Sequence, residues 1–182
     1  MKAKSKSSKG SAFERQVCVQ LSKWWTQGER DDVFYRTPGS GARATTRAKK
    51  DKPSSNQYGD ILASDSVGEP LLKLFRFELK RGYSTFTIQD MLDGKKESPY
   101  HKWIQHVKEC SAQSGSLSWM LIHRRDKRNT VCIFPTPIFD DLMIEGGKGG
   151  IPFYWCLYQS DVAGIVCVNL ESLLEAVEPH LV

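Results

Sequence analysis

The sequence has no apolar run close to the roughly 20 residues that cross a bilayer, so no membrane partner is expected. Its start, MKAKSKSSKGS, is basic with no apolar segment behind it, so a secretory signal is not expected either. Cysteine is sparse. Cys18, Cys110, Cys132, Cys156 and Cys167 are an odd set with no CxxC pair, which argues against a disulfide frame or a zinc site. A reducing, intracellular and cytoplasmic setting is the default. The four histidines (His101, His106, His123 and His180) form no HxxxH or HNH-like pattern and read as surface or satisfied polar positions. GGKGG lacks the order of a phosphate-binding loop and reads as a flexible connector. No internal repeat is present.

What remains is an ordinary globular composition, 40% apolar and 26% charged over 182 residues, enough for one domain with a full core and a small appendage. The net charge of +5 is unevenly spread. Residues 138–182 hold seven acids against the single base Lys148, whereas the rest of the chain has 25 bases and 14 acids. Basic clusters lie at Lys2 to Lys9, Arg43 to Lys52, Lys95–Lys96 and Arg124 to Arg128. Each alone is most simply a solvated loop or tail. Together they make a positive field suited to phosphates.

Periodicity organises the chain. Residues 1–10 read as a basic disordered tail, 11–137 as the core and 138–182 as an acidic extension packed on it. Phe13, Val17, Leu21 and Trp24 make a helical stripe, and VFYR is a short strand candidate. Residues 37–57 are basic, rich in Gly, Ser and Pro, and without periodicity; connections of that length are often functional. A helix is expected from Pro99 to Gln113, with proline in its first turn and Gly115 at its end. LSWMLIHR and TVCIFP read as a hairpin around the turn RRDKRN, followed by strands FYWCLY and GIVCVNL and a closing helix LESLLEAV. This order predicts an α/β domain with a central mixed sheet flanked by helices.

The chemistry gathers in YGDILASDSVGEPLLKLFRFELKRG, from Tyr58 to Gly82. In LFRFELK the residues Phe75, Phe77 and Leu79 alternate with Arg76, Glu78 and Lys80, so one strand face is core and the other charged. Pairing with GDILAS as a hairpin would bring Asp60, Glu78 and Lys80 together. Two carboxylates with a lysine beside them suit Mg²⁺, which takes oxygen ligands and leaves room for water and substrate phosphate. The plainer reading is an exposed Glu/Lys face. Glu14 also has two readings, because Ser11-Ala12-Phe13-Glu14 fits a capping box.

Gly59-Asp60, seventeen residues, then Glu78-Leu79-Lys80 resembles the PD-(D/E)xK nuclease superfamily, with glycine where that family carries proline. GSAFERQV is similar to the helix that its resolvases place before the core. RTPGSG (Arg36 to Gly41) is similar to the Ser-Gly loop of archaeal-type Holliday-junction resolvases. IQHVKECSAQSG resembles the helix that follows the core strand, and the likeness covers roughly Gly10 to Pro135.

The resemblance implies a restriction-endonuclease-like core in αβββαβ order. It implies that Asp60, Glu78 and the Leu79 carbonyl hold Mg²⁺, with Mn²⁺ able to substitute, and that Glu14 assists. Lys80 would orient water or stabilise charge, and Gln105 would shape the site. Arg36, Ser40, Arg43 and Arg81 would contact DNA phosphates, joined by Arg47, Lys49 and Lys50 of the basic loop. The expected activity is a Mg²⁺-dependent DNA endonuclease, structure-selective and homodimeric in the manner of a Holliday-junction resolvase. The other readings are a nuclease for linear or sequence-specific duplex and a non-catalytic DNA-binding module on the same fold. A phage or mobile-element origin fits the small size.

Neutralising Arg43, Arg47, Lys49 and Lys50 together should reduce the slope of log affinity against log salt by up to about 3.6, at roughly 0.9 per phosphate contact. DNA binding measured across a salt series checks this, and an unchanged slope would detach the loop from DNA.

Overall fold

A computed structural model describes residues 6–38, 58–145, 151, 154–159 and 162–179. The chain runs α1 (Lys6–Trp25), β1 (Phe34–Arg36), β2 (Ile61–Ala63), a 3-10 turn (Ser66–Gly68), α2 (Glu69–Leu74), β3 (Phe75–Arg81), α3 (Gln89–Leu92), α4 (Pro99–Ser114), β4 (Ser118–Arg124), β5 (Thr130–Pro135), α5 (Thr136–Glu145), β6 (Tyr154–Gln159), β7 (Val162–Asn169) and α6 (Leu170–Ala176). The strands form one five-stranded sheet in the order β3-β4-β5-β7-β6 and a separate β1-β2 pair. Only β3 and β4 run parallel; the other neighbours in the large sheet are antiparallel. The α/β class and the mixed sheet flanked by helices are those expected.

Strand β4 shows why two helix layers are needed. Six of its seven residues are buried, so both faces must be covered. Met120 and Ile122 pack with Phe13, Val17 and Leu21 of α1, with Phe75, Phe77 and Leu79 of β3, and with Leu170 and Leu173 of α6. Trp119 and Leu121 turn the other way, onto Tyr100, Trp103, Ile104 and Val107 of α4. The period of two in the strand thus separates two cores. Helix α4 keeps its expected bounds to within a residue, with Gly115 closing it in the left-handed region at φ 71°.

Several local expectations change. Asp60 and β3 are not arms of one hairpin: β2 pairs with β1, and the chain reaches β3 through the 3-10 turn and α2. The residues leading into β3 form a short helix instead of a hairpin arm, favoured by Pro70 in its first turn, Glu69 near the start and Lys73 near the end. Helix α1 begins at Lys6, within the stretch expected to be a tail. Ser11 is therefore inside the helix, and the capping-box reading of Glu14 falls. Helix α5 was not expected; Pro137 near its start and buried Phe139 and Leu142 were its signals. Strand β7 lies between β5 and β6, so the acidic C-terminal part completes the sheet.

The β1-β2 pair is held against the free edge of β3. The Asp60 N–H donates to the Phe77 carbonyl at 2.9 Å, and Thr37 N–H donates to the Asp60 carbonyl at 2.9 Å. Arg76, half-buried, ties the segment further. Its guanidinium donates to the Tyr58 carbonyl at 2.9 Å, to Ser114 Oγ at 3.0 Å and to Ser116 Oγ at 3.2 Å. Gly59 makes the approach possible. Its φ is 78°, and a Cβ there would stand 2.7 Å from both the Phe77 carbonyl oxygen and Arg76 Cδ. Proline, with φ held near −65°, has no access to this conformation.

Gly59→Ala should lower unfolding free energy by roughly 3 kcal/mol, and Gly115→Ala, with open space around it, by about 1 kcal/mol. Urea unfolding of the two variants checks the difference; equal losses would mean that the close approach to β3 is not tight.

Candidate active site at the free edge of β3

Backbone pairing sets the site before any side chain is considered. Leu79 N–H points away from β4 and donates to Asp60 Oδ2 at 2.7 Å. In a strand the N–H and C=O of one residue share a side, so the Leu79 carbonyl is directed to the same edge. Glu78 and Lys80 then project on the α4 face, opposite the Phe77 and Leu79 side chains. Asp60 and Glu78 are both buried, at 8% and 5% exposure. Buried carboxylates need partners, and each has them.

Lys80 Nζ donates to Glu78 Oε1, and His106 Nε2 of α4 lies 3.8 Å from Glu78 Oε2. Burial works against the Lys80 ammonium, but the Glu78 charge and hydrogen bond, with Asp60 and Tyr83 beyond, hold its pKa above the ordinary lysine range. The His106 pKa is pushed up to about 9, through its contact with Cys110 and the Glu78 charge against partial burial and Lys80. From the other helix layer, Glu14 Oε2 accepts from Arg36 Nε at 2.6 Å. One turn along α1, burial and then the Glu14 and Asp60 charges push the Cys18 thiol up to about 12.

Asp60 and Glu78 supply hard anionic oxygens, and the Leu79 carbonyl adds a neutral one at the same edge. Mg²⁺ is satisfied by one or two carboxylates with water and phosphate, so this donor set fits such an ion. Among the described residues no group of three or more His, Cys, Asp or Glu side chains is placed to hold a metal. Two carboxylates and a carbonyl are what the edge offers.

A sequence profile of the family described as "Phage putative PDDEXK endonuclease" matches residues 5–179. The chain belongs to this family. No curated protein and no solved structure matches the chain.

In this PDDEXK chain the structure brings Asp60, Glu78, Lys80 and the Leu79 backbone together, and sets the Glu14–Arg36 pair on neighbouring elements. It does not bring Gln105 to them. Gln105 is exposed and donates to Glu109 at 2.8 Å. The next residue, His106, faces Glu78 instead. Sequence reasoning set His106 aside; its signal was its helical register in α4, since Tyr100, Trp103, Ile104 and Val107 fix the buried side. Arg81 donates to the Arg124 carbonyl at 3.0 Å and pairs with Asp126 at 2.7 Å, so its charge is engaged within the protein. Ser40, Arg43, Arg47, Lys49 and Lys50 lie outside the described residues. Among the described residues no helix is long and apolar enough to cross a membrane.

His123 is the satisfied polar residue expected of the histidines, in an extreme form. It sits on β4 across from Lys80 and is 1% exposed. The Gly82 carbonyl 3.0 Å from Nε2 can only accept, so Nε2 carries the proton and Nδ1 accepts from the Tyr100 hydroxyl at 2.8 Å. Burial, then the positive charges of Arg125, Arg81 and Lys80, drop its pKa to about 4.

His123 is neutral when folded and protonates more readily when unfolded. Its contribution is complete above about pH 6.5 and is lost as pH falls toward 4, by about 3 kcal/mol at most. Unfolding free energies of wild type and His123→Gln across this range check it. The difference between the two curves should shrink on acidification, and parallel curves would contradict the buried neutral ring.

Proposed function

We propose that the chain is a divalent-metal-dependent DNA endonuclease that hydrolyses phosphodiester bonds at the free edge of β3. The observation carrying this reading is the Asp60 carboxylate, locked on the Leu79 N–H beside buried Glu78 and its partner Lys80. Asp60, Glu78 and the Leu79 carbonyl would hold Mg²⁺, with Mn²⁺ substituting. Such an ion supplies charge neutralisation at the phosphate and a more acidic water. Lys80 keeps its proton while paired with Glu78, so it acts as an ammonium that stabilises negative charge developing on phosphate oxygens. Glu14 positions Arg36, whose remaining guanidinium donors can meet a backbone phosphate. Family membership supports nuclease chemistry, and the family's phage description fits a phage origin. The likeness of RTPGSG and of the helix bearing Glu14 to resolvases supports selectivity for four-way junctions, which two symmetric cuts by a homodimer would resolve.

The test is cleavage of labelled four-way junction and linear duplex of matched sequence, with Mg²⁺ or with EDTA. Asp60→Asn and Glu78→Gln should each slow cutting by at least about a thousandfold, about 4 kcal/mol of barrier, while binding in EDTA persists. Lys80→Ala should lose about a hundredfold. Wild-type rates in either carboxylate variant would remove the site. Equal cutting of both substrates keeps the nuclease without the junction preference, and binding without any cutting leaves a DNA-binding module.

A further inference from the structure

A second feature lies on the α4 face, next to the proposed active site and outside the residues so far given a role. The turn between β4 and β5 carries Arg124, Arg125, Lys127 and Arg128 around one acid, Asp126, and Arg81 engages that acid. Beside the turn is an open cleft of about 440 Å³, lined by Arg125, Lys127, Arg128 and Asn129 on one side and floored by Tyr100 and His123. We propose that this cleft holds backbone phosphates of the DNA flanking the scissile one. The inference rests on the nuclease reading and adds the direction in which the substrate runs.

Three observations carry it. Lys127 and Arg128 are exposed and make no ion pair among the described residues, so their charge is directed outward rather than spent internally. Arg125, which lines the cleft, is anchored through an outer nitrogen to the Ser84 carbonyl at 2.6 Å, whereas Arg124 turns to the α1 side and donates to Gln16 Oε1 at 3.1 Å. Their Nε donors are buried without a partner. The turn is therefore a fixed cationic rim. Its floor adds no competing anion, because the Tyr100–His123 pair is neutral at physiological pH.

Position is the third. Lys80 is paired with His123, and Arg81 with Arg124, across β3 and β4. The cleft extends to Val131 on β5. Two strand spacings separate β3 from β5, roughly 10 Å, or about three base-pair steps at 3.4 Å each along a duplex axis. Tyr83, half-exposed with its ring 4.7 Å from that of Trp103, stands on the segment between the two places. A strand cut at Glu78 and Lys80 would thus pass Tyr83 and lay its next phosphates on the basic rim.

The test compares Lys127→Gln/Arg128→Gln with Lys23→Gln/Lys73→Gln, which removes the same charge from exposed positions on α1 and α2. Binding of labelled duplex and junction is measured in EDTA across a salt series, with circular dichroism melts confirming the fold of both variants. The cleft pair should lower the slope of log affinity against log salt by about 2 and weaken binding at physiological salt about tenfold, with the control pair near wild type. Equal effects of the two pairs, no effect of the cleft pair, or no binding of DNA by wild type would each overturn the cleft. Failure of the nuclease reading shows separately, as wild type that leaves every substrate whole in Mg²⁺. Cutting by wild type with an unchanged slope in the cleft pair sinks the cleft alone.

Discussion

The hydrogen bond from Leu79 N–H to the Asp60 carboxylate is the constraint on which the site and its surroundings depend. Strand β3 is at the edge of its sheet, and Phe77, Glu78 and Leu79 are buried. An unpaired buried donor costs about 1–3 kcal/mol. Asp60 answers on both counts, giving a carboxylate oxygen to Leu79 and its own N–H to the Phe77 carbonyl. The same residue that would hold a metal thus closes the edge of the sheet. That double task forces Gly59 into the left-handed region and keeps Thr37 against the Asp60 carbonyl. The β1-β2 pair is held there because the edge needs it.

Charge follows from burial. Glu78 and Asp60 are two carboxylates with little access to solvent, and the protein offsets them with Lys80, His106 and backbone donors. Glu14 is offset by Arg36 from β1. The side chains that offset Glu78 and Glu14 could move aside for a cation or share a phosphate, whereas the Leu79 N–H holds Asp60 in place. A lysine held charged by its neighbour is suited to stabilise an anion and poorly suited to take a proton from water.

On a larger scale the acids of α5 and α6 lie away from the basic β4–β5 turn. The exposed acids Asp140, Asp141, Glu171 and Glu175 are on α5 and α6, which pack with α1. The basic β4–β5 turn and the Glu78–Lys80 face belong to the α4 side. A polyanion is attracted to the basic turn and repelled by the acids of α5 and α6.

Much was legible in the residues themselves. The alternation of Phe75, Phe77 and Leu79 with Arg76, Glu78 and Lys80 determined which side chains face the core, because strand period is a local property. Pro99 and Gly115 determined the ends of α4 for the same reason, and the spacing from Asp60 through Glu78 to Lys80 marked the site. Pairing was not legible. GDILAS joins VFYR rather than LFRFELK, β7 inserts between β5 and β6, and Glu14 reaches Arg36 instead of a cap. His106 replaces Gln105 beside Glu78 because the helix rotates its apolar stripe onto the sheet, and one residue of rotation decides which polar neighbour meets the carboxylate. The sequence by itself determined the chemistry available and the faces on which it lies. Only tertiary structure decided which of those groups meet, because strand partners and helix rotation are chosen by long-range packing that no local pattern encodes.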